Sequence, residues 1–452
     1  MNETRTLAEF AVQLESGSIP EEVRRRAAAL VLDQLACQIA GVQLPWSQRI
    51  ADAIRPLTAP GKSSVVMDDA KLAADGAAFL NSAFGHSNES DDTHLKSPNH
   101  PGAVIIPAVL ALAEERGIGG DEALDAIIVG YEVMLRVSQA VSPHLITQGH
   151  HPPPAAGPFG VAAAVGRLLS FDADLTQQAM AIAGSYSAGL LEYTQTGGSV
   201  KRLHCAIPSQ AGIRAALLAE SGVTGPPTVL EGTRGFLAVF SPAYDVAWLT
   251  KDLGKLYLVL ETAVKNHSCC YLIHPALDAI QELRAQYDFA PDDVDGIKVR
   301  TRSQALVHHV GAITEPEDIL GAQFSMGFAL GLMLVKGGCG FWDFFNADLK
   351  DPDILRIAHA ADLELVDADE GAFVTGLEVE VRLKHGSVVT TSKAHARGEP
   401  EDPLTNEDIA AKFEEIAGPV LGDERTAEVI KRVLAIDDEA SIGDLFALLR
   451  EE

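Results

Sequence analysis

The stretch SGSIPEEVRRRAAALVLDQLACQIAG, residues 16–41, decides the fold class that we predict for this chain. Ser18 can cap a helix, Pro20 suits the first helical turn, and the two glutamates that follow favour the positive end of the helix dipole. Gly41 can end the helix. Apolar residues recur at helical spacing, at Val23, Ala27, Leu30, Val31, Leu35 and Ile39. The stretch therefore predicts one long helix with an apolar face.

The same kind of pattern continues through the first half of the chain. Further helices are predicted near residues 102–116 (ending at Gly117), 121–141, 157–170, 174–190 and 208–221. The stretches GVAAAVGRLL and AGIRAALLAESG are rich in small residues on all sides. Helices of this composition are usually buried against other helices. We therefore predict a compact all-helical domain.

After about residue 265 the pattern changes. VDGIKVRTR, residues 294–302, is typical of a short strand, and GLEVEVRLKHGSVVTTSKA, residues 376–394, is typical of a β-hairpin that turns near Gly386. Between them ILGAQFSMGFALGLMLVKGG, residues 319–338, is apolar and predicts a helix. This block indicates a smaller α+β domain.

The C-terminal part is helical again. LTNEDIAAKFEEIAG, residues 404–418, begins with Thr405 and the next residue as capping candidates. We predict that these helices return to the first domain, so that the α+β block is an insertion. The predicted fold is mainly α, with a large all-helical domain from residues 1–265 and 400–452 and a smaller α+β domain from residues 266–399.

The 452 residues carry a formal net charge of −28, and 47% of them are hydrophobic. This charge speaks against nucleic acid or an anionic membrane surface as a partner. No apolar segment is long enough to cross a bilayer, and the first residues lack the pattern of a signal peptide. The five cysteines are scattered and odd in number, which fits reduced thiols in a cytoplasmic protein. An anionic substrate would therefore require a local cationic pocket.

Four polar stretches stand out from this apolar background. They are HSNESDDTHLKSPNHPG (86–102), TQGHHPPPAAGPFG (147–160), GGSVKRLHCAIPSQAG (197–212) and KNHSCCYLIHPALDA (265–279). Each one ends a loop rich in glycine or proline and enters a predicted helix. Helix N-termini attract anions, and imidazoles or a lysine placed there can hold carboxylates and move protons near neutral pH. If the stretches converge, they form a cationic acid–base site.

Each stretch also has a structural explanation. Asp, Thr and His in a loop more often serve turns and caps than catalysis. Of the adjacent pair His150 and His151, one is expected to be functional and the other exposed. Lys201 and Arg202 could be a solvated basic pair, and the vicinal cysteines of the fourth stretch could be small buried hydrophobes.

Known motifs give little support to other classes of chemistry. Asp92, His94 and His100 are acceptable metal ligands, but there is no HExxH, no CxxC and no EF-hand loop in the sequence. A P-loop is absent, and so is the GxSxG of α/β-hydrolases. We therefore predict chemistry by side chains alone, without a metal or an organic cofactor. A metal-dependent hydrolase is the rival class.

The same stretches, in this order, make the chain resemble the MmgE/PrpD family. They are DDTH followed by HPGAVIIPAVLALAE, GYEVMLR, GHH before an alanine-rich helix, VKRLH with GIRAALLAESGVTGP, EGTRGF, and CCYLIHPALDA. The resemblance covers most of the chain. This family includes 2-methylcitrate dehydratases, cis-aconitate decarboxylases and an iminodisuccinate epimerase.

The resemblance implies a large helical domain built from both chain ends, an inserted α+β lid domain and a homodimer. It also implies a site at the domain boundary without a metal or an organic cofactor. By motif, the family's active-site histidines fall on His100 and His151, and its active-site lysine falls on Lys201. Its aspartate-rich loop corresponds to residues 89–93 and its lid-side element to residues 265–274.

The sequence departs from the family's pattern at several of these positions. Glu89 stands where the family often has aspartate, and Cys270 stands where a relative carries histidine. The motif GHH places His150 beside His151 where relatives read GFH. Phe328 stands where the decarboxylase-like pattern has a tyrosine. The loss of that hydroxyl counts against an unmodified decarboxylase or dehydratase mechanism.

The resemblance implies proton movement at a carbon next to a carboxylate of a di- or tricarboxylate. We predict a lyase, first of all one that dehydrates a 2-methylcitrate-like hydroxy acid. Decarboxylation of the cis-aconitate type and epimerisation of the iminodisuccinate type stay open. So does a non-catalytic protein that binds a carboxylate. The expected partner is a small carboxylate, and neither nucleic acid nor a membrane.

Roles follow for the predicted site residues. His100 and His151 would act as base and acid, in an order that the sequence does not assign, and Lys201 would bind a carboxylate because cations stabilise developing negative charge. His204 would also bind a carboxylate, with Lys265 as a weaker candidate. Asp91, Asp92 and Thr93 would position the substrate or fix a histidine tautomer. The predicted substrate-binding set is Glu89, Asp91, Asp92, Thr93, His94, His150, His204, Lys265, Cys270 and Phe328.

Overall fold

The computed structural model describes residues 2–196, 198–369 and 376–450. The chain divides into two units. The first consists of Met1–Ser87, Asp91–Thr262 and Thr405–Glu452, and the second consists of Asn88–Ser90 and Ala263–Leu404. Three residues of the first polar stretch therefore group with the second unit, whereas the residues on both sides of them belong to the first.

The first unit is mostly helical, and its helices up to residue 240 follow one another closely in the chain. They are α1 (Glu3–Gln13), α2 (Glu21–Gly41), α3 (Pro45–Ile54), α4 (Ala74–Gly85), α5 (Pro101–Arg116), α6 (Gly120–Val141), α7 (His144–Thr147), α8 (Pro152–Leu168), α9 (Ala173–Ala183), α10 (Tyr193–Thr196), α11 (Ala206–Glu220) and α12 (Phe236–Phe240). An antiparallel pair, β1 (Pro60–Ser64) and β2 (Lys71–Leu72), also belongs to this unit. The prediction of a mainly α fold is confirmed, although this unit is not purely helical.

The helix predicted by the opening stretch is α2, and it ends at Gly41 as predicted. Its N-cap residue is Pro20. Ser18 does not cap it, because Ser18 lies in a short 3-10 turn where its hydroxyl donates to the Glu15 carbonyl oxygen (2.6 Å). All residues of α2 from Ala27 onward are buried, so burial extends beyond the single apolar face that the spacing predicted.

Two other helices have bounds that differ from the prediction. α8 begins at Pro152 rather than near 157, because the first turn of a helix needs no N–H partners and so accepts the three prolines. α9 ends at Ala183 rather than near 190. Beyond it the backbone pairs with the chain around the start of α8, where the Ala188 N–H donates to the Pro154 carbonyl oxygen (3.2 Å).

Close packing fixes α8 against α6. A methyl group on Gly160 would come within 2.6 Å of Cβ of Met134 and 2.8 Å of the Gly130 carbonyl oxygen, so this crossing requires glycine. Nearly all residues of both helices are buried. The start of α8, which carries one of the polar stretches, is therefore held rigidly in the interior of the unit.

The second unit combines helices with a four-stranded sheet. Its elements are α13 (His274–Tyr287), β3 (Val294–Ser303), α14 (Gln304–Val310), α15 (Ile319–Gln323), α16 (Met326–Lys336), α17 (Phe341–Phe345), α18 (Pro352–Ala360), β4 (Ala361–Asp369), β5 (Leu377–Leu383) and β6 (Val388–Lys393). The strand order is β4-β3-β5-β6. β3 is parallel to β4 and antiparallel to β5, which pairs with β6 as the predicted hairpin.

Two features of this unit were not predicted. The apolar stretch 319–338 forms two helices, α15 and α16, because the Ser325 side chain caps α16 by accepting from the Phe328 N–H (3.1 Å). β4, an edge strand that begins with alternating apolar and acidic residues, was not predicted either. The inward side chains of β5, Leu377, Val379, Val381 and Leu383, pack into the core with α13 and α16.

The C-terminal helices α19 (Asn406–Leu421), α20 (Asp423–Leu434) and α21 (Ile442–Phe446) belong to the first unit. Thr405 caps α19 by accepting from the Asp408 N–H (3.1 Å). α19 packs on α2, and Lys412 donates to the buried Asp33 (2.5 Å). In the described part of the chain, no single helix combines the length and the apolar composition needed to cross a membrane. The bent pair Glu21–Gly41 and Pro45–Leu57 meets both criteria only when taken together.

Candidate active site

The loop between α4 and α5 carries several candidate residues of the first unit. His86 directly follows α4, and His100 directly precedes α5. Within the loop, the Asp92 carboxyl group accepts hydrogen bonds from the Gly102 N–H (2.9 Å) and the Tyr131 hydroxyl (2.7 Å). These bonds fix the loop to the start of α5 and to α6.

Asp91 lies between two histidines. Its Oδ2 atom is 2.7 Å from Nδ1 of His86 and 3.4 Å from Nδ1 of His100. Nδ1 of His100 is also 2.8 Å from the Asp92 carbonyl oxygen and 3.3 Å from the Thr93 hydroxyl. Because a carbonyl oxygen can only accept, Nδ1 of His100 carries a hydrogen. The ring of His100 is therefore oriented by a hydrogen bond from Nδ1 to the main chain.

His151 is held through both its backbone and its ring. It directly precedes α8, and its backbone N–H donates to the Gly189 carbonyl oxygen (3.3 Å). Nδ1 of its ring is 2.9 Å from Nδ1 of His204, which comes shortly before α11. In such a contact one nitrogen donates and the other accepts. The two rings therefore hold one hydrogen between their Nδ1 atoms.

Four histidines from three polar stretches form a group that we name the imidazole cluster: His86, His100, His151 and His204. The ring centroids of His86 and His100 are 4.9 Å apart, and each lies 6.4 Å from the centroid of His151. The centroids of His151 and His204 are 5.0 Å apart. Tyr193 contacts two of the rings edge-on, at 5.7 Å from His151 and 5.4 Å from His204. Residues far apart in the chain thus meet inside the first unit.

Lys201 and Arg202 are buried, which excludes the alternative that they are a solvated basic pair on the surface. Their exposed fractions are 6% and 4%. The Arg202 guanidinium lies 4.1 Å from the centre of the Trp46 ring, a cation–π contact. The charge of Lys201 is close enough to the cluster to lower the pKa of His151 and of His204. Arg202 therefore serves packing, and Lys201 adds positive charge beside the imidazoles.

Burial keeps part of the imidazole cluster neutral. It lowers the pKa of His151 well below its usual range, and the nearby His204, His100 and His86 and Lys201 lower it further. Burial also lowers the pKa of His204 to about 4, again with a contribution from positive neighbours. At neutral pH these two rings are uncharged. A bound anion would favour their charged forms.

The contacts of Asp92 fit the second of its two predicted roles, fixing a histidine tautomer, better than the first, positioning the substrate. Burial raises its pKa to about 8, and the nearby carboxylates Asp91 and Asp33 act in the same direction. Both of its oxygens are engaged by the Gly102 N–H and the Tyr131 hydroxyl. Its backbone carbonyl also orients His100. Asp92 therefore fixes a histidine tautomer through its main chain.

Two predicted histidines lie outside the imidazole cluster. His94 is fully buried, its Nδ1 is 2.7 Å from the Ser97 hydroxyl, and burial lowers its pKa to about 3. The ring of His150 lies against Phe240, with 4.9 Å between centroids, and its Nδ1 is 3.4 Å from the Gly189 carbonyl oxygen. These contacts place both rings against other partners, and substrate binding by His94 and His150 stays a prediction.

In the second unit, Lys265 forms a buried ion pair with Glu89. Its Nζ atom is 3.2 Å from Oε2 of Glu89, and both side chains are almost fully buried. Glu89 has a positive φ of 56°, a left-handed conformation that its neighbours must support. One such support is the Gln323 amide, which donates to the Asn88 carbonyl oxygen (2.9 Å). The charge of Lys265 is therefore already balanced by Glu89.

The remaining candidates of the second unit differ in accessibility. Cys270 is half-buried, and its N–H donates to the Gln323 carbonyl oxygen (2.9 Å). Its neighbour Cys269 is fully buried, as its structural explanation predicts, and burial raises the pKa of that thiol. Phe328 is fully buried in the apolar core on α16. The ring of Phe328 fills the core, so its predicted contact with the substrate stays a prediction.

The carboxylate and two histidines around Asp91 also have a spacing that a cation could use. Among the described residues, ligand atoms of His86, Asp91 and His100 lie within 4.8 Å of one another, whereas the trio proposed from the sequence does not form such a group. However, Nδ1 of His100 donates to the Asp92 carbonyl oxygen. A cation would therefore have to be bound through Nε2 of His100, and a hydrogen bond from the other ring nitrogen is usual for metal-bound histidines.

Three residues of this region were missed by the sequence reasoning. His86 lies in the first polar stretch but was not assigned a role, and Tyr193 carried no recognisable signal. Tyr131 belongs to the motif GYEVMLR, whose other polar residues form a buried ion pair between Glu132 and Arg136 (3.2 Å). Arg136 also donates to the Leu256 carbonyl oxygen (2.9 Å). This motif could have been read as a polar anchor inside α6.

Comparisons with known proteins agree with this architecture. The MmgE/PrpD N-terminal domain matches residues 5–249, and the MmgE/PrpD C-terminal domain matches residues 267–436. A cis-aconitate decarboxylase of Aspergillus terreus is 31% identical over 99% of this chain and 95% of its own length. The cis-aconitate decarboxylase-like protein oryM of Aspergillus oryzae is 30% identical over 100% of this chain and 98% of its own length. The cis-aconitate decarboxylase of Homo sapiens is 26% identical over 99% of this chain and 94% of its own length.

This chain belongs to the MmgE/PrpD family, as the sequence motifs indicated. The similarity runs along nearly the whole chain and includes both units. The prediction of a lyase is also confirmed.

Proposed function

We propose that this protein is a carboxy-lyase that decarboxylates an unsaturated tricarboxylate of the cis-aconitate type. The named relatives support decarboxylation over the dehydration that the sequence predicted first. The observation that carries the proposal is the imidazole cluster, with buried Lys201 beside it, in a chain of net charge −28. A polyanionic substrate needs such a local concentration of positive charge.

The cluster can gain charge when the substrate binds. His151 and His204 are neutral in the empty protein because burial lowers the pKa of each. Carboxylates placed beside them would raise both pKa values and draw protons from solvent. Lys201 would contribute a permanent charge. Binding of the substrate therefore generates part of the positive charge of its own binding site.

The chemical step needs one proton and no redox change. The bond between a saturated carbon and its carboxylate breaks, and carbon dioxide leaves. The electron pair forms a new double bond to the neighbouring carbon, and the electrons of the old double bond take a proton at its far carbon. Lys201 and the imidazoles stabilise the negative charge on the carboxylate beside that carbon, and an imidazolium of the cluster supplies the proton.

The first experiment is product analysis by NMR with purified protein and cis-aconitate in deuterated water. We expect release of carbon dioxide and one deuteron in each molecule of an unsaturated diacid. Addition or loss of water instead would favour a dehydratase. Exchange of deuterium without net reaction would favour an epimerase.

The same preparation tests the other classes. Activity that survives a chelator, in protein with a negligible metal content, would contradict a metal-dependent hydrolase. Calorimetric binding without turnover would indicate a carboxylate-binding protein. His144 lies half-exposed in α7, so His144→Asn is a matched histidine control that should keep full activity. Glu89, Lys265 and Cys270 stay predictions from the resemblance.

A further inference from the structure

His86 is the member of the imidazole cluster to which the sequence assigned no role. Its ring is almost fully buried, and Nδ1 is 2.7 Å from Oδ2 of Asp91. Nδ1 is therefore engaged with the carboxyl group whichever atom carries the hydrogen. This leaves Nε2 as the nitrogen that can exchange a proton, the arrangement in which a carboxylate orients a histidine for acid–base work.

Nε2 of His86 is buried and has no hydrogen-bond partner among the described residues. Leaving a buried polar atom unsatisfied costs roughly 1–3 kcal/mol. A substrate atom or a water molecule at this position would remove the cost. The buried nitrogen is therefore evidence for a ligand beside His86.

The surroundings of His86 suit a residue that changes charge. Asp91, on the same loop, stabilises a positive ring. The other titratable groups that face it are His100, at the start of α5, and His151, at the start of α8, with centroids at 4.9 and 6.4 Å. His86 also lowers the pKa of His204. His86 thus has a carboxylate at Nδ1 and imidazole neighbours from α5 and α8.

Resting on the proposed function, we propose that His86 is a further acid–base residue, held by Asp91, whose Nε2 donates the proton to the substrate. As carbon dioxide leaves, the Nε2–H bond breaks, and the electron pair of the former double bond forms the new C–H bond. Neutral His86 then regains a proton from solvent. His86 would contact the reacting carbon, whereas Asp91 is a positioning residue.

One amide substitution separates this role from a structural one. In His86→Asn the amide nitrogen can occupy the place of Nδ1 and keep the bond to Asp91, but nothing replaces Nε2. We expect kcat to fall about 10²- to 10⁴-fold, with KM changed less than about threefold and an unchanged unfolding temperature. A His86→Asn protein with wild-type kcat would show that His86 serves only as a hydrogen-bond partner of Asp91. That result would overturn the proposal.

Chemical rescue provides a second readout that packing alone would not move. Added imidazole should restore turnover to His86→Gly, with a rate that follows the protonated fraction of the added base. His144→Asn, measured in parallel, should show neither loss nor rescue. If His86→Gly folds and binds substrate but imidazole has no effect, the proton comes from another residue.

The inference can fail separately from the proposed function. If the wild-type protein uses a hydroxy acid instead of cis-aconitate, the same variants are compared with that substrate. If it turns nothing over, ¹⁵N-histidine NMR is used, with the His86→Asn spectrum identifying the His86 signals. We then expect the Nε2 signal of His86 to shift when cis-aconitate is added. An unmoved signal with ligand bound would overturn the inference.

Discussion

Each unit of this protein brings buried histidines together, but the two groups are connected differently. In the first unit, imidazoles contact one another, as in the 2.9 Å contact between His151 and His204. In the second unit, His267 bonds to Asp278 (3.1 Å), and the ring of His274 stacks on Tyr271 with 4.6 Å between centroids. We name this second set the histidine–aromatic group. The rings of His267 and His274 also contact each other, with 5.1 Å between centroids. The second group is therefore one pair of imidazoles beside a tyrosine, whereas the first contains four imidazoles beside a lysine.

The difference shows that a histidine–carboxylate pair does not by itself identify an acid–base site. His86 with Asp91 and His267 with Asp278 have the same residue types at similar distances. Asp278, however, also accepts a hydrogen bond from the Arg397 N–H (2.8 Å), so it ties two segments of its unit together. The neighbours of the pair decide between chemistry and structure.

The largest effect that would test this comparison is expected at His151. His151→Asn removes the imidazole that pairs with His204, and kcat/KM should fall about 10²- to 10⁴-fold. Circular dichroism and the unfolding temperature should stay close to wild type, because the backbone bond to Gly189 is kept. His144→Asn is the control. Full activity of His151→Asn would remove the basis for treating the cluster as catalytic.

Substitutions in the histidine–aromatic group should change the stability of the protein rather than its activity. His267→Asn is too short to reach Asp278, and the loss of this buried bond should lower the free energy of unfolding by about 1.5–3 kcal/mol. His267→Gln places its amide near the position of Nε2 and should recover much of that loss. Urea unfolding measures both. A large fall in kcat without a loss of stability would mean that the two groups share a catalytic role.

Acid should destabilise the first unit partly through its imidazoles. The pKa of His204 is lowered to about 4 in the folded protein, against an ordinary value of 6.5. This residue therefore favours the folded state fully above pH 6.5, and the contribution is lost as the pH falls from 6.5 towards 4. Between these values, wild type should lose more stability than His204→Asn. Equal losses, measured by urea unfolding at pH 7.5 and 5, would contradict a neutral buried ring.

The smallest effect is expected at His150, although it is adjacent to His151 in the sequence. Its ring lies on Phe240, so His150→Asn should change kcat/KM by no more than about threefold. The two variants His150→Asn and His151→Asn form a matched pair, because they carry the same substitution at adjacent histidines. An effect as large as that of His151→Asn would support the predicted role of His150 in substrate binding.

The sequence predicted long helices well and irregular segments poorly. α2 and α5 end at the glycines that the pattern indicated, because a helix end depends on local backbone chemistry. The end of α9 was missed, because it depends on hydrogen bonds to residues about 35 positions earlier, such as that from Ala188 to Pro154. The edge strand β4 was missed although its first residues alternate between apolar and acidic as in a strand. It lies at the edge of the sheet beside β3.

The sequence by itself determined the mainly helical class, the family and the residue types available for acid–base chemistry. These follow from periodicity, composition and motif order, all of which are local or cumulative properties of the chain. Only the tertiary structure decided which histidines act together. His94 and His150 lie near His100 and His151 in the sequence but turn to other partners, whereas His204 joins from 53 residues away. Ring contacts depend on where helices begin in space, and sequence spacing does not encode those positions.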